Sequence, residues 1–435
     1  MANLNVKNNY KFIIVNVLFA LFPLSFILGN LFINSNLVLF FIFVFYYYYK
    51  DLIKFKFNLF DKLITLFFVY TFFVLIVKFL ETKFNAQSFN SLVLYKTFFY
   101  LRYYLLYISL RILLNQNLIN FKYFFSSCAF FSIFVCIDIF FQYNFEKDIF
   151  GLKTPIASKL SGPFGDELIA GGFIQRFFLF SLFVPLVLKQ KNLYKVLIQL
   201  LLLSIFFLGI ALSGNRMPLL LFLISILFLF VFSKDLRKYL ILIVLILSIA
   251  FSLLYYKNKT FNYNIGIAFV SVKNLIDVFY LKNITLEQSL AKKISPYTLE
   301  FYCFNIVWEK NIFLGGGVKS YQYSGGGGCN QHPHNYYFEI LSDLGIFGFL
   351  IIATLFYFIL FKTLKKYRFN FDNDSTNTIF PFFLVFFTEF FPIRTSGSFF
   401  STGNAAFIFI ILGLLVSLID KPEKNDVSLD KKLRN

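Results

Sequence analysis

Residues 239–256 read YLILIVLILSIAFSLLYY, an apolar run that contains no charged side chain. A helix of about 20 such residues crosses the roughly 30 Å hydrocarbon core of a lipid bilayer. A helix on the surface of a soluble protein would show one polar face, and this stretch has none. The run therefore predicts a transmembrane helix.

Eleven further runs of this kind raise the predicted number of spans to twelve. The chain has 435 residues, of which 58% are apolar, and its mean hydropathy is +0.71. A soluble domain has too little interior to bury that much apolar surface. The sequence thus predicts an all-α, polytopic integral membrane protein of about twelve transmembrane helices. The predicted spans are 12–30, 33–49, 62–80, 92–114, 123–142, 168–188, 194–213, 217–233, 239–256, 341–361, 379–393 and 403–419.

The basic residues predict the orientation of these spans. With the N-terminus in the cytoplasm, 22 Lys and Arg residues lie in inner segments and six in short outer loops, as the positive-inside rule requires. Both termini are then cytoplasmic. Topology and attraction to anionic lipid explain the net charge of +19, so no nucleic-acid partner is predicted.

Two predicted outer connections are long, 143–167 and 257–335. Long loops usually carry function. Within the larger one, 264–281 is apolar enough to lie on the membrane surface, and 296–310 reads as a helix. The predicted divisions are nine spans in 1–256, the large outer loop in 257–335, three spans in 336–419 and a cytoplasmic tail in 420–435.

Two of the four cysteines, Cys303 and Cys329, fall in the large outer loop, where the compartment permits disulfides. A bridge would tether the glycine run 325–328 beside the histidines. Geometry decides between a bridge and two free thiols, and both stay open. Cys128 and Cys136 lie in a predicted span and are expected to be buried apolar residues.

The chain has two histidines, both in Gln331-His332-Pro333-His334-Asn335 of the large loop. A catalytic zinc site takes three protein ligands and no third histidine exists, so no metal or other cofactor is predicted. An imidazole titrates near neutral pH and can take a proton from a hydroxyl. His334 is therefore the candidate general base, with His332 and Asn335 as candidate supporting residues; chance placement in a polar loop is the alternative.

Nine residues separate Asn335 from Gly345-Ile346-Phe347-Gly348, which an apolar run follows. The pattern His-Asn-x9-Gly-x-x-Gly, after a long outer loop with a Gly-rich stretch, resembles the bacterial O-antigen ligase and O-antigen polymerase superfamily. The two glycines would let the helix pack closely on a neighbour. The topology also agrees with the family, and it implies the bacterial inner membrane with the large loop in the periplasm.

A second matching feature is Ser213-Gly214-Asn215-Arg216, because the family has an arginine in this small outer loop. The resemblance covers roughly 161–348 and otherwise rests on topology. It implies transfer of a glycan from undecaprenyl diphosphate to a hydroxyl acceptor in lipopolysaccharide biosynthesis. His334 would deprotonate the acceptor for one inverting step, and Arg216 would bind the donor diphosphate. Arg216 could alternatively be a helix-end anchor that snorkels to the interface.

One feature departs from the family, which usually offers a second arginine from the large loop. That loop has no arginine here. Lys319, Arg394 and Arg176 are the candidates for a second diphosphate-binding cation. An intramembrane arginine is expensive and often functional, although Arg176 could simply pair with Asp138 or Glu389.

The stretch 161–167 contains two outer acids, Asp166 and Glu167. They could orient sugar hydroxyls or partner His334, or they could belong to a Pro-Gly turn that enters a helix.

The acceptor separates the two enzymes of the superfamily. A ligase uses the lipid A core and a polymerase uses a second lipid-linked repeat; the His motif favours a ligase. A flippase of lipid-linked sugars would need a charged central cavity and internal repeats, and the sequence shows few intramembrane charges and no repeat. An enzyme with a carboxylate in the first outer loop is disfavoured because residues 29–36 contain no acid. A purely structural membrane protein stays open.

Overall fold

The computed structural model describes residues 6–84, 91–156, 158–187, 192–232, 240–280, 296–324, 329–367, 378–395 and 397–420. Within these ranges the chain is helical and contains no strand, which confirms the predicted all-α membrane architecture. A short 3₁₀ helix covers Gly162–Phe164. The α-helices are α1 Val6–Ala20, α2 Phe22–Leu28, α3 Asn30–Ile53, α4 Leu59–Phe84, α5 Ser91–Asn115, α6 Phe121–Phe145, α7 Ala170–Leu182, α8 Val184–Val187, α9 Asn192–Leu212, α10 Arg216–Phe232, α11 Leu240–Lys257, α12 Lys259–Tyr280, α13 Pro296–Glu309, α14 Tyr321–Ser324, α15 Tyr336–Tyr367, α16 Ile379–Glu389 and α17 Thr402–Asp420.

Each predicted span coincides with a helical part of the described chain. Eight helical stretches there are long and apolar enough to cross a membrane, namely Tyr10–Leu28, Asn30–Ile53, Leu59–Phe84, Ser91–Asn115, Phe121–Phe145, Tyr194–Leu212, Tyr336–Lys366 and Thr402–Asp420. Three shorter apolar helices, Arg216–Phe232, Val244–Lys257 and Ile379–Glu389, match three more predicted spans. The remaining predicted span, 168–188, is α7 followed by the single turn of α8.

Helix α17 forms the centre of the bundle. All of its residues from Ala405 to Ile419 are buried, and it packs on α5, α16, α3 and α15. A helix that is apolar on every side needs such a position. By contrast, α3 exposes Phe45 and Tyr46 at 73% and 72% of their surface, which suits a helix that faces lipid.

Charged residues fasten three helices where α17 ends, at the end of the bundle away from the histidines. The Arg111 guanidinium of α5 contacts Asp61 of α4 at 3.0 Å and Asp420 of α17 at 2.7 Å. The Tyr107 hydroxyl donates to Asp61 at 2.5 Å. Asp61 is fully buried and Arg111 is nearly so, so removing either partner costs on the order of 3–5 kcal/mol. The pair departs from the expectation of few intramembrane charges.

Helix α15 is interrupted at Gly345, which has φ 65° and ψ −171°. Only glycine adopts this conformation readily. A Cβ at Gly345 would lie 2.1 Å from the Phe313 carbonyl oxygen, so the backbone of the large loop lies directly against the break. The Tyr70 hydroxyl donates to the Leu344 carbonyl oxygen at 3.0 Å, which satisfies an acceptor that the broken helix frees.

The two glycines therefore have different neighbours. The missing side chain at Gly345 leaves room for the loop backbone. The missing side chain at Gly348 leaves room for the ring of Tyr70 on α4, because a Cβ at Gly348 would lie 3.2 Å from Tyr70 Cε1.

Two predictions for the large loop can be compared with the structure. Helix α13 nearly coincides with the helix predicted over 296–310, and α12 covers most of the apolar segment 264–281. Residue 281, the glycine run 325–328 and the tail 421–435 lie outside the described residues.

Candidate functional site

His334 lies two residues before the start of α15 at Tyr336 and has a φ of 48°, which is uncommon for a residue with a side chain. Asn335 caps the helix, since its Oδ1 accepts the N–H groups of Tyr337 at 2.9 Å and Phe338 at 3.3 Å. Its Nδ2 donates to the Pro392 carbonyl oxygen at 2.9 Å. The cap fixes where the chain enters α15 and so fixes the position of His334.

Glu300 of α13 lies beside His334. The distance from His334 Nε2 to Glu300 Oε1 is 4.0 Å, and the carboxylate side chain is 5% exposed while the imidazole is 41% exposed. Asn330 donates to the same carboxylate oxygen. Burial raises the pKa of Glu300, and the hydrogen bond from Asn330 and the charge of His334 act in the opposite direction. A buried carboxylate beside one ring nitrogen is an arrangement that can orient a general base.

A disulfide joins Cys303 and Cys329. Cys303 lies one turn after Glu300 on α13, and Cys329 directly precedes Asn330. The bridge therefore ties the helix that carries the carboxylate to the segment that carries the histidines. Around it, Phe304, Val307 and Tyr321 form a small apolar cluster separate from the main core.

His332 has a different environment from His334, although their ring centroids are only 4.3 Å apart. Burial, followed by the charges of His334 and Lys319, lowers the pKa of His332 to about 4. Its Nε2 is buried without a hydrogen-bond partner in the described chain. His332 is thus a neutral imidazole at neutral pH and a weak base. In the parts of the chain that are described, no three His, Cys, Asp or Glu side chains gather as metal ligands.

Lys319 is held on the loop that docks against the break in α15. Its N–H donates to Asp343 Oδ2 at 2.7 Å, and the Gly317 N–H donates to the Asp343 carbonyl oxygen at 2.7 Å. This places the Lys319 ammonium where its charge acts on His332 and on buried Glu339 of α15. Lys319 therefore already has a carboxylate within its electrostatic reach.

Arg176 and Arg394 share one carboxylate. Arg176 Nη2 lies 2.7 Å from Glu389 Oε1, and Arg394 Nη1 lies 3.0 Å from Glu389 Oε2. Arg176 also donates to the Tyr336 hydroxyl at 3.2 Å and to Asn404 at 2.6 Å. Of the two pairings foreseen for Arg176, the structure therefore shows the one with Glu389. The cluster joins α7, α15, α16 and α17 just below His334.

Arg216 is the first residue of α10. The turn before it is shaped by Gly214, with φ 72°, and by Asn215, which accepts the Gly171 N–H and donates to the Leu168 carbonyl oxygen, both at 3.0 Å. The Arg216 guanidinium makes no hydrogen bond or ion pair with any residue in the described ranges. Among the described residues, its side chain is therefore left available for a ligand.

Helix α7 connects the two predicted parts of the site. Asn215, next to Arg216, holds Gly171 in the first turn of α7. Arg176, five residues further along α7, reaches the hydroxyl of Tyr336, which is two residues from His334. This link depends on contacts between helices that are distant in the sequence, so no local motif predicts it.

Asp166 and Glu167 are exposed, and no contact between described residues joins either acid to His334. The carboxylate beside His334 is Glu300, which the sequence analysis missed. A usable signal existed, since Glu300 lies one helical turn before Cys303 in a predicted helix and a bridge to Cys329 would bring it to the histidines.

A sequence model of the O-antigen ligase family matches residues 198–353. The matched segment runs from α9 to the middle of α15, so it contains Arg216, the large loop and His334. No curated protein matches the chain. The match confirms the resemblance to the O-antigen ligase and polymerase superfamily.

Proposed function

We propose that this membrane protein, whose residues 198–353 match the O-antigen ligase family, transfers a glycan from undecaprenyl diphosphate to a hydroxyl of the lipid A core. The transfer takes place at the periplasmic face of the bacterial inner membrane. The observation that carries the proposal is the pairing of half-exposed His334 with buried Glu300 at 4.0 Å. That pairing lies at the end of the bundle where Arg216 has no partner in the described chain.

In the proposed reaction His334 accepts the proton of the acceptor hydroxyl. The hydroxyl oxygen forms a bond to the anomeric carbon as the bond from that carbon to the diphosphate oxygen breaks, so the configuration inverts. The diphosphate leaves with the electron pair, and the imidazolium later returns its proton to water. Glu300 acts as a positioning residue, because its carboxylate orients the ring and favours the imidazolium that forms.

Arg216 binds the diphosphate in this scheme. Negative charge grows on that group as the glycosidic bond breaks, and a fixed guanidinium stabilises it through a bidentate fork. Removing one such stabilising donor from an active site costs roughly 3–4 kcal/mol. The step uses protein side chains only.

Arg176, Arg394 and Glu389 have a supporting role in this proposal. Two arginines against one carboxylate leave one net positive charge below His334. Because both guanidinium groups are engaged, we assign the cluster to holding Tyr336, and thereby the start of α15, in place. Lys319 similarly contributes positive potential beside the histidines.

A reconstituted assay with three arms distinguishes the possible products. Vesicles containing the protein receive a lipid-linked repeat unit with lipid A core, with additional lipid-linked repeats, or with neither, and the products are separated on a gel. Glycan on the core supports the ligase. A ladder of lengthening lipid-linked chains would instead indicate an O-antigen polymerase with the same chemistry. Movement of the donor across the bilayer without any new bond would indicate a flippase.

A further inference from the structure

The connection between α6 and α7 lies directly on the turn that precedes Arg216. The Leu160 N–H donates to the Ser213 carbonyl oxygen at 3.2 Å. A Cβ at Gly214 would lie 2.5 Å from the Ser158 carbonyl oxygen and 3.3 Å from Lys159 Cα. The backbone of Lys159 is therefore packed against the backbone two residues before Arg216.

Asn264 of α12 fastens the same contact from the other side, since its Nδ2 donates to the Ser158 carbonyl oxygen at 2.9 Å. The Thr154 hydroxyl donates to the Lys159 carbonyl oxygen. The backbone at Ser158 and Lys159 is thus held by Thr154, by the turn at Gly214 and by α12, unlike the backbone of a free surface loop.

Lys159 and Arg216 bring two positive charges to this part of the fold, and the charge of one acts on the other. Neither Lys159 nor Arg216 forms an ion pair with a carboxylate among the residues that the structure describes. Burial lowers the pKa of Lys159, and the charge of Arg216 lowers it further. Like charges that approach each other in a half-buried place are unfavourable unless an anion binds between them.

We propose that Lys159 is the second cation of the donor site and binds, together with Arg216, the diphosphate of the lipid-linked substrate. This inference rests on the proposed function and deepens it. Of the other candidates, Arg176 and Arg394 share Glu389, and the charge of Lys319 acts on buried Glu339 of α15.

The two side chains suit the two halves of a diphosphate. The planar guanidinium of Arg216 can grip the oxygens of one phosphate with two parallel hydrogen bonds, and the Lys159 ammonium can serve the other as a compact point charge. The N-terminus of α10, at Arg216, adds its partial positive charge at the same place. Lys159 thereby replaces the large-loop arginine of the family with a cation from a different loop.

The test measures binding and not transfer. Purified full-length protein in nanodiscs is titrated with undecaprenyl diphosphate that carries no glycan. We expect Lys159→Gln to weaken binding at least about tenfold, the value of one lost charged hydrogen bond. Lys159→Arg should restore affinity to within about threefold. Lys153→Gln is the matched control, because Lys153 lies exposed in the same connection, and it should bind like the wild type.

Two further arms identify what the site recognises. Inorganic diphosphate should displace the lipid from the wild type but displace it much less from Lys159→Gln. That result would support recognition of the head group itself. If Lys159→Gln weakens binding to phosphatidylglycerol vesicles equally, Lys159 is only an anchor for anionic lipid and the inference is overturned.

Equal binding by Lys159→Gln and wild type, with Arg216→Gln weakened, would also overturn the inference but leave the proposed function standing. A wild type that binds no undecaprenyl diphosphate would remove both. Thermal unfolding of the Lys159→Gln and Lys153→Gln variants in detergent shows that the comparison is between folded proteins.

Discussion

Replacing Gly345 with alanine should release the large loop from α15. At φ 65° and ψ −171° a residue with a side chain is strained by about 1–3 kcal/mol. The added Cβ would also lie 2.1 Å from the oxygen and 2.3 Å from the carbon of the Phe313 carbonyl group. These atoms are backbone and cannot rotate away, so repacking costs another 1–3 kcal/mol or so. The docked state should lose at least about 2 kcal/mol, or about 30-fold in population.

Hydrogen exchange measures this loss directly. Four amides of the loop are protected by α15: Gly316 donates to the Ser342 carbonyl oxygen, and Gly317, Lys319 and Tyr321 donate to Asp343, at distances between 2.7 and 3.1 Å. If the loop opens and recloses faster than an open amide exchanges, a loss of about 2 kcal/mol in the stability of the docked state speeds their exchange about 30-fold.

The matched control is Gly266→Ala. Gly266 lies exposed in α12, and no atom lies within 4 Å of the position of its Cβ. We expect this variant to leave exchange in the loop unchanged. If the four amides exchange in Gly345→Ala at the wild-type rate, the prediction is wrong, because docking of the loop would then not depend on the conformation of Gly345.

Three further changes test the site. Gly171→Ala would place a Cβ 2.4 Å from Ser213 Oγ and should raise the KM for the donor at least about fivefold. Gly172→Ala is the control and should leave the KM unchanged, because no atom lies within 4 Å of the position of its Cβ. Equal KM values for the two variants would show that this turn does not contribute to donor binding. Glu300→Gln should lower kcat at least about tenfold with the donor KM unchanged, because the carboxylate orients the base; a change in KM alone would contradict that role. Cys303→Ser should lower the transfer rate and let Cys329 alkylate without reductant, and an unchanged rate would show that the bridge does not hold the histidines.

The helices were predictable because lipid imposes a simple requirement on the sequence. A span needs about 20 apolar residues with few charges, and each of the twelve predicted runs coincides with helical structure. The ends were less predictable. The tenth span was expected to begin at residue 341, but Asn335 caps the helix and α15 begins at Tyr336. The buried pair of Asp61 and Arg111 was hidden because each residue looks isolated within or beside an apolar run.

The site was predictable where chemistry is concentrated in a short motif. His334 and Asn335 stood out because the chain has so few histidines, and the structure gives Asn335 a definite task as a helix cap. Glu300 and Lys159 did not stand out, since their neighbours in space are far away in the sequence. The role of a carboxylate or an ammonium depends on the groups that surround it in the folded chain, and a single sequence does not show which groups those are.

The central claim, that His334 is the general base of a glycan transfer, is tested most directly by single-turnover kinetics. Wild type, His334→Ala and His332→Ala are reconstituted with donor and lipid A core, and the rate of the chemical step is followed by quenched flow. We expect His334→Ala to slow the chemical step by a factor of about 10²–10⁴ with donor affinity unchanged. His332→Ala should slow it by less than about tenfold, because the His332 ring is already a weak base. Transfer by His334→Ala at the wild-type rate, or an equal loss in His332→Ala, would contradict it.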